Sequence, residues 1–395
     1  MDTPHNDFVD LTLLDFETTQ VKILGSITTV TFYDGAPPLE YIKTKLEEIL
    51  DRNPWIEGRL LSNATGQLVL RYPKVSGGAG QLLRIVSRPG LRPDMKFSEL
   101  ADVLRASIVK PASLCLNKAE DLLRVSVVTV SANRFAIVVS MSHAYADGYT
   151  YYEVFKMLST TAPARALIAE RVHSGRADMS AALSGGDDAL PWLSSPGFIM
   201  NVATMLLRQR VPTFNLFTVA QLTIDEQKKT YATSNQPAFI STNDIITAAF
   251  FVATPCDVVF MMANFRSRVP DLTADHAGNY ELLIAFQKVD FATPVLVRRG
   301  VSACRRTLSG NLPGFLKSTR VQLGAITNWA SSYKDLALPG CELVFHRPVV
   351  DPARFMPFDH MVTVFKSRGE QLSLMTRCKD TSVLLNLPIL DKKIV

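Results

Sequence analysis

Ser140-Met141-Ser142-His143-Ala144-Tyr145-Ala146-Asp147-Gly148 is the stretch from which the fold reads outward. The apolar run 135–141 leads into His143, Asp147 and Gly148 follow four and five residues later, and residues 149–158 are amphipathic. The segment therefore reads as strand, loop, helix. Such a junction holds a side chain rigidly at the end of a buried strand and leaves its far side open to a ligand. His143 is thus either a candidate general base or an ordinary hydrogen-bonded histidine. Asp147 has the chemistry of a helix N-cap and can be that alone.

Composition narrows the setting. The 395 residues are 47% hydrophobic and 20% charged, with mean hydropathy +0.12. That is a compact globular composition with room for two or three domains and a sizeable core. The net charge of +5 suits an anionic small ligand, but the lysines and arginines form no dense run, which argues against nucleic acid as a partner. Cys115, Cys256, Cys304, Cys341 and Cys378 are far apart and never spaced as C-x-x-C, so neither a disulfide framework nor a zinc site is expected. No metal site is expected from His143 and Asp147 either, because His173, His276, His346 and His360 stand in unrelated contexts. Reduced cysteines and a polar, acidic opening at residues 1–7 predict a cytoplasmic protein without a secretion signal. Residues 245–263 approach spanning length, but Pro255 and Asp257 cut them, so they read as a buried helix and a buried strand rather than a transmembrane segment.

The first half predicts a strand within 21–33, a helix carrying Leu39, Ile42, Leu46, Ile49 and Leu50 that stops at Asn53-Pro54, and a strand at 67–72. Residues 76–80 are glycine-rich but match no phosphate-binding pattern and read as a surface loop. Residues 122–130 and 135–141 predict a hairpin around 131–134. Periodicity then fades across 160–188, which marks a crossover, and 192–210 predict a helix whose face of Phe198, Val202, Met205 and Leu206 packs inward. Ser241 to Asp244 supply N-cap chemistry for a helix from Ile245, followed by a strand at 257–262. Arg266 and Arg268, two apart near a strand end, are expected to point the same way. Strands are predicted at 323–329, 342–346, 361–366 and 371–377, with a turn at 336–340. The division is a first domain at 1–175, a crossover at 176–225 and a second domain at 226–395.

Several stretches, taken in order, resemble one family. His143-x-x-x-Asp147-Gly148 resembles the active-site motif of the coenzyme A-dependent acyltransferases, and the BAHD branch fits best. Residues 11–15 are similar to that branch's opening segment, Asn53 to Leu60 to its Y-P-L-A-G-R-L, and Thr327-Asn328-Trp329 to its T-S-W. Asn264 to Pro270 with Gly278-Asn279 is similar to its R-x-R and G-N segment. The chain departs from the family at D-F-G-W-G, where it has Asp335-Leu336-Ala337-Leu338-Pro339-Gly340.

The resemblance implies an α/β fold of two similar mixed-sheet domains, like chloramphenicol acetyltransferase, with the site at their interface. It implies acyl transfer from an acyl-coenzyme A co-substrate to the hydroxyl or amine of a small, specialised-metabolite acceptor, by a monomer with no permanently bound cofactor. His143 is then the general base and Asp147 pairs with Arg266, with Arg268 in reserve. Gly148 lets the backbone turn, Thr327 lies near the reacting carbonyl, and Trp329 walls the acceptor pocket. Arg298, Arg299, Arg305 and Arg306 are expected to be solvated rather than phosphate-binding. Two alternatives are a non-catalytic scaffold with a degenerate acyltransferase fold and a condensation-type enzyme using a carrier-protein thioester.

Overall fold

The computed structural model describes residues 7–20, 25–173, 189–207, 213–232 and 239–395. Arg134–Ser142 shows why the sequence around His143 is so apolar. Phe135, Ile137, Val139 and Met141 face one core, with Ile42, Leu46, Tyr151 and Phe155. Ala136 and Val138 face another, with Val30, Phe32, Leu100 and Leu104. A strand covered on both sides is apolar throughout rather than alternating.

This strand is the centre of a five-stranded sheet ordered Glu342–Pro348, Ser26–Asp34, Arg134–Ser142, Leu123–Ser131, Leu83–Ser87. A second sheet of seven described strands runs Glu281–Gln287, Val258–Asn264, Leu323–Asn328, His360–Arg368, Gln371–Cys378, Thr213–Val219, Leu390–Lys393. Both are mixed: Leu323–Asn328 is parallel to both neighbours, and Leu83–Ser87 is parallel to Leu123–Ser131. A small antiparallel sheet joins Phe8–Thr12, Leu68–Pro73 and Arg59–Ser62. The helix Leu39–Arg52 buries its predicted stripe and ends at Asn53. Thr242–Ala253 begins with a full capping box between Ser241 and Asp244.

Sheet membership departs from the linear division of the chain in two places. Glu342–Pro348, from the second half, forms the edge of the first sheet by pairing with Ser26–Asp34. Thr213–Val219, from the crossover, belongs to the second sheet. Phe97 packs on Phe214, Leu216, Phe365 and Met375, so the halves also share a core. The segment that departs from D-F-G-W-G still ties the halves together. Tyr33 O–H donates to Leu336 O at 2.7 Å, Ala337 N–H to Ser159 Oγ at 3.0 Å, and Gly369 N–H to the Asp335 carboxylate at 2.9 Å.

The helix expected at 192–210 is two helices, Ala189–Leu193 and Pro196–Leu207, broken where Pro196 starts the second. Phe198 and Val202 pack inward as expected, whereas Leu206 is exposed. Residues 208–210, and residues 21–24 of the first predicted strand, lie outside the described residues. Among the described residues no helix is long and apolar enough to cross a membrane.

Candidate active site

His143 follows directly on its strand and is anchored by its backbone N–H, which donates to Gly25 O at 3.0 Å. Its Nδ1 lies 3.0 Å from Asn279 Oδ1. The Asn279 amide nitrogen donates to Glu17 Oε1 at 2.9 Å and to His143 O at 3.2 Å, which fixes its oxygen toward the ring. An amide oxygen only accepts, so Nδ1 carries the ring proton and Nε2 keeps its lone pair. Glu17 is held by Arg171 in an ion pair with both side chains fully buried, and Arg171 donates further to Tyr145 O, Ala169 O and Ala277 O. Burial lowers the His143 pKa, opposed by hydrogen bonding and by the charges of Asp147 and Glu17. The imidazole is therefore neutral at neutral pH.

Asp147 is fully buried and does not line the cavity that His143 faces. Its Oδ1 caps the helix Gly148–Lys156 by accepting from Thr150 N–H at 2.8 Å. Its Oδ2 accepts from Arg266 Nη1 at 2.7 Å and from Tyr280 N–H at 2.9 Å. Although burial raises the Asp147 pKa, Arg266 and these backbone donors outweigh it and hold the carboxyl below its ordinary value. Arg266 also donates to His276 O and Gly278 O and stacks against Tyr149 and Tyr280.

Arg268 does not share this site. The strand ends at Asn264, and Ser267 has φ 60°, which turns the chain and breaks the alternation expected of the two arginines. Arg268 is exposed and reaches Cys304 Sγ instead. The expected role of Gly148 also changes. Its φ is not in the left-handed region; a Cβ there would point at Trp329 Nε1, 3.5 Å away, and Glu281 Oε1, 3.8 Å away. Its missing side chain keeps the cavity open rather than permitting a turn.

The cavity, about 190 Å³, takes His143, Gly148 and Ile27 from one half and Thr327, Trp329, Glu281 and Thr363 from the other. Thr327 pairs in register with Thr363, whose buried Oγ1 has no hydrogen-bond partner among the described residues. Trp329 packs edge-on to Tyr152. The remaining wall is mainly apolar, with Met262, Met361, Met375 and Phe358. Gly25, Ser26, Val349 and Arg354 also line a larger groove of about 790 Å³ that carries Arg105 and Lys110. The other arginines considered for phosphate stand elsewhere. Arg298 pairs with Asp244 and Ser241, and none of Arg298, Arg299, Arg305 or Arg306 lines the cavity.

Sequence reading missed Glu17 and Arg171 as supports, and Glu281 and Thr363 as cavity residues. Glu281 stands alone ahead of the apolar run Leu282 to Phe286 and could have been flagged, whereas Glu17, among Asp15, Thr18, Thr19 and Gln20, carries no such signal.

No family model and no curated protein matches the sequence. Solved structures do match, along nearly the whole chain. TRI101 of F. sporotrichioides, solved with coenzyme A and T-2, has a TM-score of 0.63 at 12% identity, covering 98% of this chain and 100% of its own. Vinorine synthase has a TM-score of 0.59 at 14% identity, covering 100% and 96%. The first condensation domain of the CDA synthetase has a TM-score of 0.60 at 14% identity, covering 97% and 93%. At such identities the likeness is one of architecture: this chain has the two-domain, chloramphenicol acetyltransferase-like α/β fold shared by BAHD acyltransferases and condensation domains.

Proposed function

We propose that the protein is an acyltransferase that moves an acyl group from an acyl-coenzyme A thioester to a hydroxyl or amine of a small acceptor, with His143 as general base. The observation that carries this reading is the Asn279 amide on His143 Nδ1, which leaves the Nε2 lone pair free in a cavity between the halves. A neutral imidazole so fixed contributes roughly 10²–10⁴ in rate as a general base.

In this reading Nε2 takes the acceptor's proton as its oxygen or nitrogen attacks the thioester carbonyl carbon. The resulting oxyanion is met by the hydroxyls of Thr327 and Thr363, which line the same cavity. Collapse breaks the carbon–sulfur bond, and the imidazolium returns the proton to the leaving thiolate. Asp147 and Arg266 take no part in the transfer; they hold the corner that carries His143. The groove continuous with the cavity sets Arg105, Lys110 and Arg354 against Asp102 and Asp351, and this excess of one positive charge suits a long anionic donor such as coenzyme A. Complexes of TRI101 with coenzyme A lend the donor class further support.

Incubation with acetyl, malonyl and longer acyl-coenzyme A and a panel of alcohols and amines, followed by free thiol, tests the proposal. Acceptor-dependent thiol release is expected. Neither release nor thioester binding across the panel would favour a non-catalytic scaffold.

A further inference from the structure

Glu281 is the first residue of its strand, paired with Asn264, and its carboxyl enters a cavity wall made largely of Ile27, Met262, Met361, Met375 and Phe358. An ionisable group in such a wall is costly unless something polar meets it. Glu281 makes no hydrogen bond among the described residues, and neither does the indole N–H of Trp329. Both nonetheless lie beside Gly148, on the side its missing side chain leaves open to the cavity. The position a Cβ on Gly148 would occupy is 3.8 Å from Glu281 Oε1 and 3.5 Å from Trp329 Nε1.

We propose that Glu281 and the Trp329 N–H form a hydroxyl-recognition subsite beside His143, selecting acceptors that carry a second hydroxyl in addition to the one that reacts. The inference rests on the acyl-transfer reading only for the reacting hydroxyl, which goes to His143 Nε2. The complement of an N–H donor next to a carboxyl is a group that both accepts and donates. A hydroxyl does both, a ketone only accepts, and an ammonium only donates and would face the indole N–H. The protonation state agrees. Burial and the charge of Asp147, against the opposing charge of Arg266, push the Glu281 carboxyl up to about 8, which favours the uncharged acid at neutral pH.

The test uses the full chain without coenzyme A, titrated with trans-1,2-cyclohexanediol and with cyclohexanol and followed by saturation-transfer NMR. The two probes match closely in size and differ by one hydroxyl. The diol is expected to bind about tenfold more tightly. Glu281→Leu is expected to reduce this preference to within about twofold, and Glu281→Gln, which keeps a donor and an acceptor, to retain most of it. Should the leucine variant fail to fold, Trp329→Phe removes the N–H alone and is expected to cut the preference about threefold. Equal binding of the two alcohols, a preference that survives in Glu281→Leu, or no binding of either overturns the proposal. A diol preference without thiol release from any thioester would leave the subsite standing and sink acyl transfer. Thiol release without the preference would do the reverse.

Discussion

Breaking the buried pair Asp147–Arg266 should be strongly destabilising. Asp147 is fully buried and Arg266 is 5% exposed, and they belong to different halves of the chain. Arg266→Met leaves the Asp147 carboxylate with two backbone donors, Thr150 N–H and Tyr280 N–H, and no counter-charge. Asp147→Asn leaves a guanidinium with uncharged partners only, at His276 O, Gly278 O, Asn264 Oδ1 and Thr150 Oγ1. Breaking a buried pair from either side costs about 3–5 kcal/mol, because the remaining charge is uncompensated. Removing both partners removes that penalty, so the double variant should be more stable than the sum of the single losses by about 2 kcal/mol or more. Urea unfolding followed by tryptophan fluorescence measures all four corners of the cycle. Additivity within about 0.5 kcal/mol would refute the idea that the two charges sustain each other.

Three further outcomes follow from the same geometry. Because burial lowers the His143 pKa, the acid limb of kcat/KM should have its midpoint below the ordinary histidine value of about 6.5; a midpoint above 7 would contradict the assignment. His346, buried between Thr31 and Tyr152 and stacked on Tyr333, is held down to about 3 by burial. The unfolded chain therefore takes up this proton first as pH falls below 6.5. Stability present at pH 7 is lost progressively toward pH 3, by about 2 kcal/mol at pH 5, and His346→Asn should flatten that dependence in urea titrations. Gly148→Ala should leave the thermal midpoint near that of the parent, since its contacts begin at 3.5 Å, while lowering turnover by placing a methyl group in the cavity. A collapse of stability would restore the turn reading.

Elements set by local pattern were legible in the sequence. Leu39–Arg52 follows from the spacing of Ile42, Leu46 and Ile49, and the hairpin ending at His143 follows from two apolar runs around a polar turn. Partner choice was less so. Nothing local to residues 342–348 says that they complete the sheet of residues 26–34. The site divides in the same way. His143 and Asp147 stand out because strand, loop and helix meet there. Glu17, by contrast, finds Arg171 across 154 residues and Asn279 across 262, so its role exists only once the chain has folded. Arg266 and Arg268 look alike in sequence, and only the positive φ of Ser267 separates a buried partner from an exposed one.

In the proposed acyl transfer it is His143 Nε2 that moves the proton. The most direct measurement compares thiol release by the parent and by His143→Gln, with the acyl-coenzyme A and acceptor that the parent uses best. A loss of roughly 10²–10⁴-fold in kcat is expected, with the thermal midpoint and thioester affinity preserved. Turnover by His143→Gln at the parent rate would contradict it.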